Sequence, residues 1–250
     1  MAGFRAYFDF KNFTEKLDGQ ITLSPEESRH LCGSLRAKVG DDVDAFDLNG
    51  NICKCKILDA NPKKTTLSIG QKVNRPEREN EIYLLQCLPK GKTFDDIIRQ
   101  SVELGVAGIF PIISQFSQVK IDTSEAEKKR AKWEAQVIEA VKQSSNFSGF
   151  EIFKPTTFKQ LFANLPQFDL KIVASLQANA VRISKAFANI QKPKKVAILI
   201  GPEGDLSPTE YQDANNANFK PITLGKNVLK SETAAISCIS QVIASLDFIE

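Results

Sequence analysis

The sequence predicts an α/β protein in which a small β-rich domain precedes a mainly parallel sheet, and three observations predict it. Short strand-like runs crowd the first part of the chain. From Ile82 onward apolar runs alternate with helical periods. Near the C-terminus two glycine-bearing turns each separate an apolar run from a capped helix. Alternation of strand and helix implies a parallel sheet covered on both faces, and 250 residues suffice for two domains with their own cores.

In chain order, Ala6–Phe10, Val43–Leu48, Ile52–Leu58 and Thr65–Lys72 read as strands, and Asn49-Gly50 between two of them is a strong hairpin signal. Ser24-Pro25-Glu26-Glu27 reads as a capping box opening a helix to about Leu35. One short helix among several strands predicts a small β-barrel. Asn74–Asn80 is polar, contains Pro and lacks periodicity, so the boundary is placed there: residues 1–74 form one domain and 75–250 the other. Beyond it Ile82–Cys87 is a strand, and Phe94–Leu104 a helix closed by Gly105. Ile109–Ile113 is a strand and Glu125–Ser144 a long helix. Leu170–Ser175 and Val196–Ile200 are further apolar strands.

The composition is that of an ordinary soluble chain. A net charge of +3 permits a nucleic-acid partner without identifying one. No apolar run has the roughly 18 residues of a membrane span. The opening MAGFRAYFDF lacks a signal-peptide layout, and five cysteines without framework spacing suit a reducing compartment. The expected location is cytoplasmic. Cys53 and Cys55 share a strand face, but with one histidine and no second pair they predict no metal site.

The last quarter carries the chemistry. Val196–Ile200 ends abruptly in Gly201-Pro202-Glu203-Gly204, and Ser207-Pro208-Thr209-Glu210 then reads as a capping box with Pro at the first helical position. A second short strand near Pro221–Leu224 ends at Gly225, after which Ser231-Glu232-Thr233 caps a helix to about Phe248. Two glycine loops at strand ends, each followed by a helix, form a crevice at the carboxyl edge of an α/β sheet, where ligands settle.

The order of IGPEGDLSPTEY (Ile200–Tyr211) and ITLGKNVLKSETAAI (Ile222–Ile236) resembles the SPOUT class of S-adenosylmethionine-dependent RNA methyltransferases. Within that class the chain is most similar to the 16S ribosomal RNA uridine-N3 methyltransferase family, small subunit methyltransferase E. Separate segments extend the resemblance over nearly the whole chain: His30–Arg36, Gln86–Lys92, Glu103-Leu104-Gly105 and Glu139–Ser144. It implies an N-terminal PUA-like barrel that helps grip RNA and a C-terminal SPOUT domain with a trefoil knot. It also implies a homodimer with 16S ribosomal RNA, or the small ribosomal subunit, as partner.

The cofactor implied is S-adenosyl-L-methionine. Backbone groups of the Gly201–Gly204 and Leu224–Gly225 loops would bind it, with Pro202, Glu203, Glu232, Thr233 and Ala234 in the matching motifs and Leu176, Leu224, Val228 and Leu229 as apolar walls. Uracil N3 carries a proton, so transfer is helped by a carboxylate that removes it or a cation that stabilises the anionic base. Glu203, Glu232 and Lys230 are the local candidates, with Lys230 standing where the family usually has Arg. Arg5, His30, Arg36, Lys38, Lys90 and Lys92 are the expected RNA contacts. Three departures from the family pattern stand out: Asp205 in place of a final Gly, Lys230, and Asn146 where an Arg is expected. An enzyme with another RNA target, or an RNA-binding assembly factor with a weakened site, keeps the same motifs. Mapping the methylated nucleotide separates the first alternative, and cofactor affinity the second.

Overall fold

Alternating burial along the first strands builds a five-stranded mixed sheet, a half-barrel with the order β1-β3-β4-β5-β2. Its strands are β1 (Phe4–Tyr7), β2 (Gln20–Thr22), β3 (Asp42–Phe46), β4 (Ile52–Asp59) and β5 (Thr66–Val73). β1 runs parallel to β3 and the other pairs are antiparallel. Every second residue of β3 and β4 (Val43 and Ala45, Cys53, Cys55 and Ile57) enters one core with Ala6, Leu31 and Leu67. The Asn49-Gly50 turn is closed by Asp47, whose Oδ1 accepts the N–H groups of Asn49 and Asn51 at 2.8 Å.

The helix expected to run to Leu35 is instead a short α1 (Pro25–Ser28) continued by a π-helical turn, Arg29–Ser34. Ser24 Oγ accepts the Glu27 N–H, but Glu27 does not return the bond of a capping box. Its carboxylate accepts the Tyr7 N–H at 2.9 Å and the Lys142 ammonium at 2.5 Å. The first strand ends at Tyr7, short of the expected Phe10, which instead begins a 3-10 turn, Phe10–Asn12.

The computed structural model describes residues 3–12, 19–73, 78–117, 119, 121–188, 190 and 192–247. Part of the expected domain boundary, 74–77, and the expected helix end at Phe248 lie outside these residues. The chain divides into two compact units. One is Met1–Glu77 with Val141–Phe150, and the other is Arg78–Ala140 with Glu151–Glu250.

The second unit is a parallel eight-stranded sheet. Its elements are β6 (Glu81–Cys87), α2 (Thr93–Glu103), β7 (Gly108–Ile113), α3 (Thr123–Ser144), β8 (Glu151–Ile152), β9 (Thr156–Thr157) and α4 (Phe158–Ala163). They continue with β10 (Leu170–Ala174), β11 (Val181–Arg182), α5 (Ile183–Phe187), β12 (Lys195–Ile200), α6 (Pro208–Asn216), β13 (Lys220–Thr223) and α7 (Ser231–Asp247). The strand order is β11-β13-β10-β12-β6-β7-β8, with β9 also on β7. The pleat sends alternate residues to opposite faces: Leu85, Cys87 and Leu199 pack with Phe158 and Leu161 of α4 and Ala214 of α6. On the other face α7 packs against β6, β12, α2 and α5. Gly105 closes α2 with φ 79°, the left-handed conformation a helix C-terminus favours.

Candidate active site

Three neighbouring parallel strands, β13, β10 and β12, end side by side, and the loops that follow them enclose a cavity of about 300 Å³. Its lining comes from Ala174–Leu176 after β10, from Ile200–Glu203 and Asp205 after β12, and from the Thr223–Ala234 stretch after β13. Most of the wall is apolar, with Ser175, Glu203, Asp205, Thr223, Asn227, Lys230 and Ser231 as the polar side chains. Such a mixture suits a flat heteroaromatic ligand whose faces want apolar contact and whose edge wants a few hydrogen bonds. Leu176 and Val228 are 64% and 76% exposed, so the rim offers apolar surface to whatever enters.

One hydroxyl holds the loops together. Ser231 Oγ donates to the Gly201 carbonyl at 2.9 Å and accepts from Gln86 Nε2 at 2.9 Å. Ser231 is therefore not the capping side chain expected from the sequence. The Lys230 carbonyl accepts the Ala234 N–H at 2.8 Å, which makes Lys230 the residue at the helix edge and puts Ser231 inside the first turn. Gln86 is fully buried, and its Oε1 has no partner among the described residues.

The turn after β12 is built around Asp205, which adopts φ 64°. A short carboxylate tolerates this region by bonding locally: Oδ1 accepts the Leu206 N–H and the Tyr211 hydroxyl, both at 2.8 Å. Burial, opposed by a hydrogen bond with Ser175 and reinforced by Asp205, pushes the Tyr211 phenol up to about 12. Behind it Ser207 caps α6 with both bonds of the capping box in place.

Comparison with known proteins bears on this geometry directly. An RNA methyltransferase domain family matches residues 76–243, and an RNA methyltransferase PUA domain family matches residues 23–70. The ribosomal RNA small subunit methyltransferase E of Aquifex aeolicus is 32% identical over 230 residues, 91% of this chain and 96% of that protein. The chain belongs to the small subunit methyltransferase E family. A family member from Neisseria gonorrhoeae, solved bound to S-adenosylmethionine, superposes with a TM-score of 0.83 at 25% identity, covering 99% of this chain and all of that one. A Legionella pneumophila protein described as a methyltransferase, solved with the same cofactor, gives 0.86 at 28% identity over 98% of both chains. The half-barrel followed by a parallel α/β domain is thus the PUA-like and SPOUT arrangement the sequence led us to expect.

Of the residues read from the family motifs, Leu176, Gly201, Pro202, Glu203, Leu224, Gly225, Val228, Leu229, Lys230 and Ala234 line the cavity. Glu232 and Thr233 do not. Helical spacing brings Lys230, Ser231 and Ala234 to the cavity side and carries the two residues between them away. Gly204 is absent from the lining as well and instead borders a neighbouring hollow with Lys90, Phe116 and Glu203.

The glycines also act differently from the expectation of bare backbone facing a ligand. A Cβ on Gly201 would meet Leu206 and Asp205 at 3.4–3.5 Å, and one on Gly204 would meet Phe116 at 3.2 Å. Gly225 alone of the three opens to free space, with φ 141°. Ala174, Ser175, Ile200, Asp205, Thr223, Asn227 and Ser231 line the cavity without having been singled out as cofactor contacts. Their shared signal is position, since each lies within a few residues of the end of an apolar strand or the start of α7.

The expected RNA contacts fall into two groups. In the half-barrel unit Arg36 and Lys38 are exposed, His30 is half-buried in the π-helical turn, and Arg5 donates to the Lys142 carbonyl. In the other unit Lys90 and Lys92 are exposed between β6 and α2, and the Lys90 N–H donates to Glu203 Oε1 at 2.9 Å. Among the described residues no helix is long and apolar enough to cross a membrane. Among the same residues no three His, Cys, Asp or Glu side chains converge as a metal site.

Proposed function

We propose that this chain is an S-adenosylmethionine-dependent methyltransferase acting on N3 of a uridine in 16S ribosomal RNA. The observation that carries the reading is the three-loop cavity at the carboxyl ends of β10, β12 and β13, in a chain that matches two cofactor-bound methyltransferase structures over nearly its whole length. Residues 1–74 would serve as the RNA-gripping domain and 75–250 as the catalytic one. The reading includes the trefoil knot, a cytoplasmic location and a homodimer, symmetric pairs being the commonest oligomers.

The lining fits the cofactor. Leu176, Leu224, Val228 and Leu229 provide apolar faces, and the backbone of Gly201–Glu203 and Leu224–Gly225 provides edge donors and acceptors. Bound there, S-adenosylmethionine supplies an electrophilic methyl group, and the remaining work is alignment and charge control. Lys230 is exposed at the cavity wall, where its ammonium would stabilise negative charge on a uracil losing its N3 proton. Glu203 would be the carboxylate that accepts that proton. It borders both hollows, and its Oε1 is held by the Lys90 N–H. Glu232 lies off the lining and would serve the helix N-terminus.

Calorimetric titration of S-adenosylmethionine tests the cofactor site. Wild type should bind, and Ala234→Phe, which fills the wall, should not. Tritium transfer to unmodified small-subunit RNA, with mapping of the product, tests the base. Lys230→Ala should lower kcat on the order of a hundredfold while leaving cofactor affinity near wild type. A wild type that binds no cofactor, even with RNA present, would sink the reading.

A further inference from the structure

The hollow beside the cofactor cavity contains an aromatic ring that neither fold nor cofactor binding explains. Phe116 is 46% exposed, yet the turn that carries it is pinned on both sides. The Gln115 N–H donates to Oε1 of the buried Glu210 at 2.8 Å. The Ser114 N–H donates to Ser117 Oγ at 3.2 Å, and that hydroxyl donates to the Leu88 carbonyl at 3.4 Å. Glu210 is at the same time the reciprocal partner of the α6 capping box, so the start of α6 fixes the turn. A large apolar side chain held in water on a fixed turn gains free energy from whatever ligand covers it.

The surroundings say what. Phe116, Lys90, Glu203 and Gly204 line a hollow of about 370 Å³, and Glu203 is shared with the cofactor cavity. Gly204 permits the approach, because a Cβ there would sit 3.2 Å from the Phe116 Cβ. The turn follows β7, two strands from β12 in a parallel sheet, so both hollows open at the same carboxyl edge. An aromatic face, a cation for a phosphate and a carboxylate beside a methyl-donor site match an unpaired RNA base, which proteins hold by stacking.

We infer that Phe116 is the stacking platform for the acceptor uracil, holding the splayed-out base against the cofactor cavity with Glu203 between them. The inference rests on the methyltransferase reading and names the acceptor half of the same site. Phe116 is a substrate-positioning residue, not a source or sink of the proton.

Phe116→Leu keeps an apolar side chain without a ring face, and Phe116→Tyr restores the face. Both should bind S-adenosylmethionine like wild type by calorimetry, which also shows that they fold. On unmodified small-subunit RNA, Phe116→Leu should lose about tenfold to a hundredfold in kcat/KM, and Phe116→Tyr should recover most of it. Phe116→Trp reads occupancy without turnover. The native Trp133 is buried, so quenching of the new exposed indole on titration with that RNA reports a base on the ring. Phe116→Leu within twofold of wild type would overturn the inference. So would an unquenched Phe116→Trp signal in a complex that filter binding shows to have formed. Failure of wild type to bind the cofactor or transfer methyl sinks the methyltransferase reading instead, and the quenching result still decides whether a base sits on Phe116.

Discussion

Ser231 joins two elements with one hydroxyl, accepting from Gln86 on β6 and donating to the Gly201 carbonyl at the mouth of the cavity. It is 5% exposed, and its removal takes the donor from the Gly201 carbonyl and leaves Gln86 Nε2 with only the Cys87 carbonyl at 2.9 Å. Ser231→Ala should therefore cost about 1–3 kcal/mol in stability and weaken S-adenosylmethionine binding by freeing the Gly201 turn. Urea denaturation and calorimetry on the same preparation check both, and an unchanged unfolding midpoint would contradict the assignment. Gly201, Leu224 and Lys230 were legible in the sequence because strand ends and glycine turns announce themselves locally. The role of Ser231 was not. A serine before Glu-Thr at a helix start reads as a cap, and only the position of β6, 145 residues away, turns its hydroxyl elsewhere. Asp205 shows the same limit. Its departure from the family glycine is visible in sequence, but its fit to φ 64° and its bond to Tyr211 are not.

At the scale of elements, α3 was legible as one long helix, whereas its last turn belongs with the half-barrel unit. There Lys142, 5% exposed, pairs with Glu27 of α1, 9% exposed, at 2.5 Å, and its carbonyl accepts from the Arg5 guanidinium. Helical periodicity cannot reveal that a lysine is buried when its partner lies 115 residues earlier. The same carboxylate explains the broken capping box of α1, since Glu27 is committed to Tyr7 and Lys142. Removing one member of a buried pair strands the other. Lys142→Met should thus destabilise the protein by about 3–5 kcal/mol, far more than loss of the exposed Lys56–Asp42 pair, which stands in water. Denaturant melts of Lys142→Met and Lys56→Met side by side decide it, and equal losses would refute the buried role. β8, β9 and β11, two residues each, and the short α4 and α5 went unread because no period can be counted over so few positions.

At the scale of the whole molecule, buried thiols and phenols tie the stability of the fold to alkaline pH. Burial raises the thiols of Cys53 and Cys87, lifts Cys55 to about 11 and Cys238 to about 12, and with nearby carboxylates lifts the phenols of Tyr83 and Tyr211 to about 12. Unfolded, these groups titrate near 8.5 for Cys and 10 for Tyr. As pH rises above about 8.5 the unfolded chain releases protons that the folded chain keeps, so the unfolded state binds fewer and stability falls with pH. The contribution is complete below the unfolded values and is lost progressively until the folded values are passed. Each group adds a slope of at most about 1.4 kcal/mol per pH unit within its window. Urea midpoints under reducing conditions should therefore hold steady through neutral pH, decline from about pH 9 and steepen above about pH 10 as the tyrosines join. Cys238→Ala separates this linkage from general alkaline damage. It should lower stability at neutral pH by opening a small cavity in α7, yet lose less between about pH 9 and 11, because one proton no longer distinguishes the two states. Parallel declines in wild type and variant would show that the buried thiol of α7 does not set the alkaline limit of the fold.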